Sequence, residues 1–285
     1  MSQPILVFGA LGNVGTQVIT ALQAQGVPVR AADLNPQDIQ QRFGESVDAV
    51  RFDFGVPETF APAVQGVKGI FLMRPPQISD VERLMFPVID AAREAGVERV
   101  VFLSLIGIEN NRRVPHYKVE LYLRDSGMDW TFLRSSFFMQ NLNTTHRAEI
   151  KERDEIFVPV GSGKTSFIDV RDLGAVAALA LTEEGHTDQA YELTGPQALD
   201  YYEVTELFSQ VLGRTIVYRD PSLPSFVWNS IRSGRSLPFT LVTAWLYNQT
   251  RDGMSAQVTG EVQRLLGREP IALKQYIQDY RAEWI

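Results

Sequence analysis

Through its first 134 residues the chain alternates short apolar runs with stretches whose apolar residues recur every three to four positions. The runs cover residues 5–8, 27–32, 49–52, 69–73, 97–103 and 130–133. Between them lie amphipathic segments such as the one carrying Val81, Leu84, Met85, Val88, Ile89 and Ala92. Runs rich in Val, Ile and Phe that barely alternate are strands buried on both faces. Helices interleaved with such strands imply right-handed crossovers. The pattern therefore predicts an α/β fold with a Rossmann-like, doubly wound parallel sheet.

Beyond Arg134 the rhythm changes. A helix is expected over 137–152, then short strands at 156–159 and 166–168 joined as a hairpin around Gly161-Ser162-Gly163. An alanine-rich helix should open at Asp169 or Val170 and run to Leu181, packed closely on the sheet. Strands at 190–193 and 215–218 flank a helix at 202–212, and the remainder is mostly helical. The expected division is a Rossmann-like domain over 1–155 and a smaller, mostly helical C-terminal lobe over 156–285 that shares elements with the first.

The first strand runs into Gly9-Ala10-Leu11-Gly12-Asn13-Val14-Gly15, followed by a helix from about Asn13 to Gln25. This G-x-x-G-x-x-G spacing is a variant of the dinucleotide fingerprint. Gly9 permits a tight turn, Gly12 lets the backbone approach a pyrophosphate, and Gly15 lets the helix pack closely on the strand. The backbone from Leu11 through Val14 and the helix N-terminus then face the phosphates. Asp33 stands 18 positions beyond Gly15 at the end of the next strand, near the offset of about 20 residues at which a carboxylate grips the adenosine ribose. A carboxylate there repels a 2′-phosphate. The next residue is Leu34, Arg30 lies earlier in the strand and Arg42 further on. NAD(H) is therefore favoured over NADP(H).

Composition closes several alternatives. The 285 residues include 27 Lys and Arg, 34 Asp and Glu, three His and no Cys, for a net charge of −7. Without cysteine there are no disulfides, thiolate nucleophiles or cysteine-ligated metals. His116, His146 and His186 show no ligand spacing, so no metal is expected. No basic run exceeds Arg112-Arg113, which argues against nucleic acid as a ligand. The longest apolar stretch, 239–247, falls well short of the roughly 20 residues of a membrane span. No leader is read at the N-terminus, and a cytoplasmic location is expected.

Several later stretches, in order, make the chain similar to the NmrA-like family of atypical short-chain dehydrogenases/reductases. They are Asp53-Phe54, Phe71-Leu72-Met73-Arg74-Pro75-Pro76, Ala95-Gly96-Val97 leading into Val101-Phe102-Leu103-Ser104, Thr131-Phe132-Leu133-Arg134, Phe137-Phe138-Met139-Gln140-Asn141 and Phe167-Ile168-Asp169-Val170-Arg171-Asp172. The resemblance implies that Phe54 lies near the adenine and that Met73, Arg74 and Pro75 line the cofactor groove. It also implies that Ser135 and Phe137 approach the nicotinamide, and that Phe137, Phe138, Met139 and Asn141 face a substrate. Members of the family include quinone and triphenylmethane-dye reductases, as well as regulators that bind the dinucleotide without turnover.

Ser104 occupies the serine position of typical short-chain dehydrogenases, and Tyr117 follows it by 13 residues, but Leu121 stands where Tyr-x-x-x-Lys requires lysine. Lys118, adjacent to the tyrosine, resembles the lysine of isoflavone-reductase-like relatives; in an apolar pocket it would have a depressed pKa suited to acid–base work. Its bland alternative is a hydrogen bond to a cofactor ribose or a place in solvent. His116 could donate a proton to a quinone oxygen, but a partly exposed histidine at a helix start is more often structural. Trp228 and Trp245 are assigned to the core in preference to a substrate wall. Two functions result: an NAD(P)H-dependent reductase acting on a small hydrophobic or aromatic acceptor such as a quinone, or a non-catalytic redox sensor that acts on a protein partner.

Overall fold

The structure, a computed structural model, describes residues 3–285. Seven strands form one sheet: β1 (Ile5–Phe8), β2 (Val29–Asp33), β3 (Asp48–Arg51), β4 (Gly69–Met73), β5 (Arg99–Leu105), β6 (Asp129–Ser135) and, after β7 (Glu155–Phe157), β8 (Gln189–Leu193). Their spatial order is β3-β2-β1-β4-β5-β6-β8, and every pairing is parallel. This is the doubly wound sheet read from the apolar runs, with the order reversing between β1 and β4. At such a switch point the crossovers on either side diverge and leave a crevice at the carboxyl ends of the strands.

Two compact units divide the chain. Met1–Ser135 with Val170–Leu193 make the first, and Ser136–Asp169 with Thr194–Ile285 the second. The boundary expected at 155 is thus displaced, and the chain crosses more than once. The reason lies in the pairing of β8 with β6 from Thr131↔Gln189 to Ser135↔Leu193. The helix leading to β8, Val170–Thr182, packs in the first unit against helix α1 (Asn13–Ala24). A side chain at Gly174 would lie 2.6 Å from the backbone of Gln17. On the opposite face of the sheet, Leu6, Phe8, Leu72, Phe102 and Phe132 pack with Val88, Ile89, Val119 and Leu123 from flanking helices.

The second unit is built differently. β7 pairs in parallel with β9 (Val217–Arg219), so the expected hairpin does not form. Residues 166–168 make no strand. Bridges tie Ile168 to Phe138 and Thr165 to Leu199 instead. The helix expected over 137–152 is two, Gln140–Thr144 and Arg147–Arg153. The core gathers Ile150, Ile156, Val158, Tyr201, Phe208, Tyr276 and Trp284, and Trp284 meets Phe208 edge to face at 5.0 Å. Trp228 and Trp245 are absent from it: 70% and 46% of their surfaces are exposed, which corrects their assignment to the core. Among the described residues no helix is long and apolar enough to cross a membrane.

Candidate dinucleotide site

The glycines after β1 each answer to a specific neighbour. Gly9 has φ +65°, and a Cβ there would lie 2.5 Å from the sulfur of Met73. Its carbonyl receives the Gly12 N–H at 3.0 Å, closing the turn. A Cβ on Gly15 would sit 2.1 Å from that same carbonyl oxygen, so any side chain would push α1 off the turn. Gly12 differs from both. Its backbone is extended, and an added Cβ would meet only the Gly9 oxygen, at 3.2 Å.

Gly12 is also the N-cap of α1, with no side-chain cap and no acidic residue in the first turn. The first N–H groups of a helix have no intrahelical partner, and the helix dipole makes that end positive. Thr16 Oγ1 donates to Ala10 O at 3.1 Å and holds the turn to the helix. Asp33 clasps it from the neighbouring strand. One carboxylate oxygen accepts the Leu11 N–H at 3.0 Å and the other the Leu34 N–H at 2.8 Å. The sequence reading gave Asp33 a ligand role; the structure adds this structural one. Arg51 stands beside Asp33 in the β2–β3 register and is exposed. Strand register, invisible in a linear pattern, brings this cation beside Asp33.

Met73, Arg74 and Pro75 follow one another at the carboxyl end of β4. Met73 lies over Gly9. Half-buried Phe54, past β3, stacks edge to face on Phe52 at 4.8 Å. Arg74 turns back on its own chain, its Nη1 donating to the carbonyls of Pro75 (3.0 Å), Pro76 (3.2 Å) and Ile78 (2.5 Å). Its Nε donates to Nε2 of His116 at 3.4 Å. His116 is buried, and that burial, followed by the charge of Arg74, pushes its pKa down to about 3. The ring is therefore neutral near pH 7 with its proton on Nδ1, which is buried without a hydrogen-bond partner. Burial and the charge of Arg74 thus disfavour an imidazolium at this position.

Lys118 requires a correction. It is exposed, and its Nζ pairs with Glu82 at 2.6 Å. The hydrogen bond and charge of Glu82 raise its pKa, opposite to the depression that acid–base work needs. Ser104 is fully buried and donates to Glu120 Oε1 at 2.6 Å. Glu120 receives Arg134 in a two-point grip, Nε at 3.1 Å and Nη2 at 2.8 Å, and Arg134 also reaches Glu109 at 3.0 Å. These two residues, which tie the ends of β5 and β6 to the helix Pro115–Arg124, were missed. A signal existed: His116, Val119, Glu120 and Leu123 share one helical face, so an acid stands among positions that the period marks as inward.

Ser135 ends β6, and its hydroxyl donates to Ser104 O at 3.3 Å. Past it the chain enters the second unit. Phe137 and Phe138 are half-buried, and so is Asn141. Met139 turns into that unit's core and presents no surface to a substrate, contrary to its expected role. Gln140, between them, donates to Asp169 at 2.9 Å.

A parallel doubly wound sheet whose first strand feeds a clasped glycine turn and an uncapped helix defines a Rossmann-type protein. The chain belongs to the NmrA-like family, whose model matches residues 1–277. It is 32% identical to the NAD(P)H azoreductase of Xenophilus azovorans over 98% of both chains. It is 27% identical to quinone oxidoreductase 2 of Escherichia coli (strain K12) over 78% of this chain and 79% of that one. Among solved structures, the triphenylmethane reductase of Citrobacter sp. complexed with NADP(H) superposes with a TM-score of 0.86 at 25% identity, covering 97% of this chain and 99% of that one.

Proposed function

We propose that this protein is an NAD(P)H-dependent reductase that passes a hydride to a hydrophobic or aromatic acceptor of the quinone, azo or dye type. The observation that carries the reading is the uncapped start of α1 behind Gly9, Gly12 and Gly15, held in place by Asp33. The residues present fit a dinucleotide. At Gly12 an added Cβ would meet only the turn itself, leaving backbone N–H groups of Asn13 and Val14 for a pyrophosphate. Phe54 would cover the adenine side, and Met73, Arg74 and Pro75 the groove beside it. Bound NAD(P)H supplies the hydride.

The protein's own share is to bind and orient. Lys118 is engaged at the surface and His116 is neutral, so the proton that completes reduction of the acceptor comes from water. Ser135, Phe137, Phe138 and Asn141 are proposed to border the reacting end, and Ser104, whose hydroxyl is given to Glu120, to hold the end of β5. Within the cofactor pair NAD(H) is preferred, because the Asp33 carboxylate would oppose a 2′-phosphate. The NADP(H) of the Citrobacter complex and the proximity of Arg51 to Asp33 set the competing expectation.

Titration calorimetry with NAD⁺, NADH, NADP⁺ and NADPH tests the site. Oxidation of the bound reduced form with menadione, an azo dye and a triphenylmethane dye tests the reaction. Absence of binding to all four overturns the proposal. Binding without turnover on any acceptor, with unequal affinity for oxidised and reduced forms, moves the function to a redox sensor acting on a protein partner.

A further inference from the structure

The helices Leu223–Arg232 and Leu237–Arg251 in the second unit are joined by residues 233–236 and pack on each other, with Phe226 and Tyr247 edge to face at 5.4 Å. Phe226, Ser230, Thr240 and Tyr247 are buried. The pair is tied down further by Tyr247, whose hydroxyl lies 3.1 Å from His146 Nε2, and by Arg235, which donates to Thr145 O at 3.0 Å. The outward side of this helical hairpin should then be polar. It is not. Trp228, Ile231, Leu237, Leu241, Val242 and Trp245 are all exposed, from 43% of Ile231 to 70% of Trp228. Trp228 and Ile231 fall at i and i+3, and Leu241, Val242 and Trp245 at i, i+1 and i+4, so each helix carries an apolar stripe at helical spacing.

Their composition narrows the occupant. Residues 221–251 contain no Lys, Asp or Glu; their charges are Arg232, Arg235 and Arg251. Aromatic residues with arginine, and without lysine or acids, are the composition of a protein–protein interface. Six large apolar residues exposed to this extent present several hundred Å², comparable to the ~800 Å² per partner of a standard interface. Patches above roughly 300–600 Å² are unusual on monomers. Two copies related by a two-fold axis would bring two such hairpins face to face as a four-helix layer.

We propose that this hairpin is a homodimer interface, and that its partner is the same face of a second copy. Light scattering of the full chain should give twice its 32.0 kDa mass at micromolar concentration. Trp228→Glu with Val242→Glu should weaken the dimer at least 100-fold. Both positions are exposed, so circular dichroism of that variant should match the wild type. Because the chain has no cysteine, Val242→Cys adds a single thiol. A short bis-maleimide should couple it into dimers, whereas exposed Glu94→Cys should stay monomeric. A wild-type monomer at 50 µM overturns the proposal, as does a dimer that survives the double substitution or couples equally at both thiols. A monomer that sediments with phosphatidylcholine vesicles also overturns it, by assigning the face to lipid.

Discussion

The turns at 9–15 and 161–165 both carry glycines where a side chain would collide, and both contain pieces of a phosphate loop. Their surroundings differ. In the first, the collisions are with Met73 and with the turn's own carbonyl, and the start of α1 is left uncapped. In the second, a Cβ on Gly163 would lie 2.4 Å from Thr250 O, while the Gly161 N–H goes to Asp220 at 3.1 Å. Lys164, the residue that a phosphate loop would aim at its ligand, pairs with Glu203 at 2.9 Å. Thr165 and Leu199 exchange both backbone hydrogen bonds. A glycine reports that something comes close. Whether that something is the fold itself or a ligand depends on which donors remain unspent.

The largest effects should come where the collision is with backbone. Gly15→Val and Gly163→Val should each destabilise the protein by about 3 kcal/mol or more, since neither neighbour can yield as a flexible side chain would. Urea unfolding measures this. The comparison adds a second requirement: at permissive temperature, Gly163→Val should keep its dinucleotide affinity and Gly15→Val should not. Equal loss at both would mean that the two turns are functionally alike.

What the sequence made legible follows the same division. β1 and β4 were read with their observed ends because their apolar runs do not alternate and are bounded by glycine or proline. The fingerprint was legible because Gly9, Gly12 and Gly15 act through local backbone geometry and Asp33 stands at a fixed offset from them at the end of the next strand. The place of β8 beside β6 was not, since 53 positions separate their ends, Ser135 and Gln189, and no local pattern encodes that pairing. Trp228 and Trp245 were misplaced because periodicity marks an apolar face without saying what covers it. The acid–base reading of Lys118 loses support for a related reason: its partner, Glu82, lies 36 residues away.

His116 extends the contrast to titration. Its folded pKa of about 3 lies below the value of about 6.5 in an unfolded chain. As pH falls through 6.5 the unfolded state takes up the proton first, so stability declines from there down to about pH 3. The slope is about 1.4 kcal/mol per pH unit. Between pH 7 and pH 5 the wild type should therefore lose about 2 kcal/mol more than His116→Gln, read from urea midpoints. A variant that tracks the wild type would show that the ring is not held neutral.

Gly12→Ala and Asp33→Asn probe the open turn with little damage to the fold. Alanine at 12 needs a shift of only a few tenths of an ångström from the Gly9 oxygen, yet its methyl stands where the backbone must approach a pyrophosphate. Affinity for every dinucleotide should fall about tenfold, which is about 1.4 kcal/mol. Asparagine at 33 keeps an acceptor for the Leu11 N–H but removes the charge. The NAD(H) preference should shrink by a similar factor, through improved NADP(H) binding. Alanine at 33 would be a poorer test, since it also frees the clasp.

The smallest effects belong to the two lysines, and they sharpen the distinction most. Lys164→Met and Lys118→Met each break a pair at the surface, with Glu203 and with Glu82. Such pairs contribute little, and both kcat and dinucleotide affinity should stay within about twofold of wild type. For Lys164 that result confirms a spent loop. For Lys118 the informative failure is selective: a large fall in kcat at unchanged affinity would mean that the Glu82 pair opens when the acceptor binds. The raised pKa set by Glu82 would then describe only the resting protein. The pH–rate profile separates the cases, because water-supplied protons leave kcat without the basic limb that a titrating ammonium imposes.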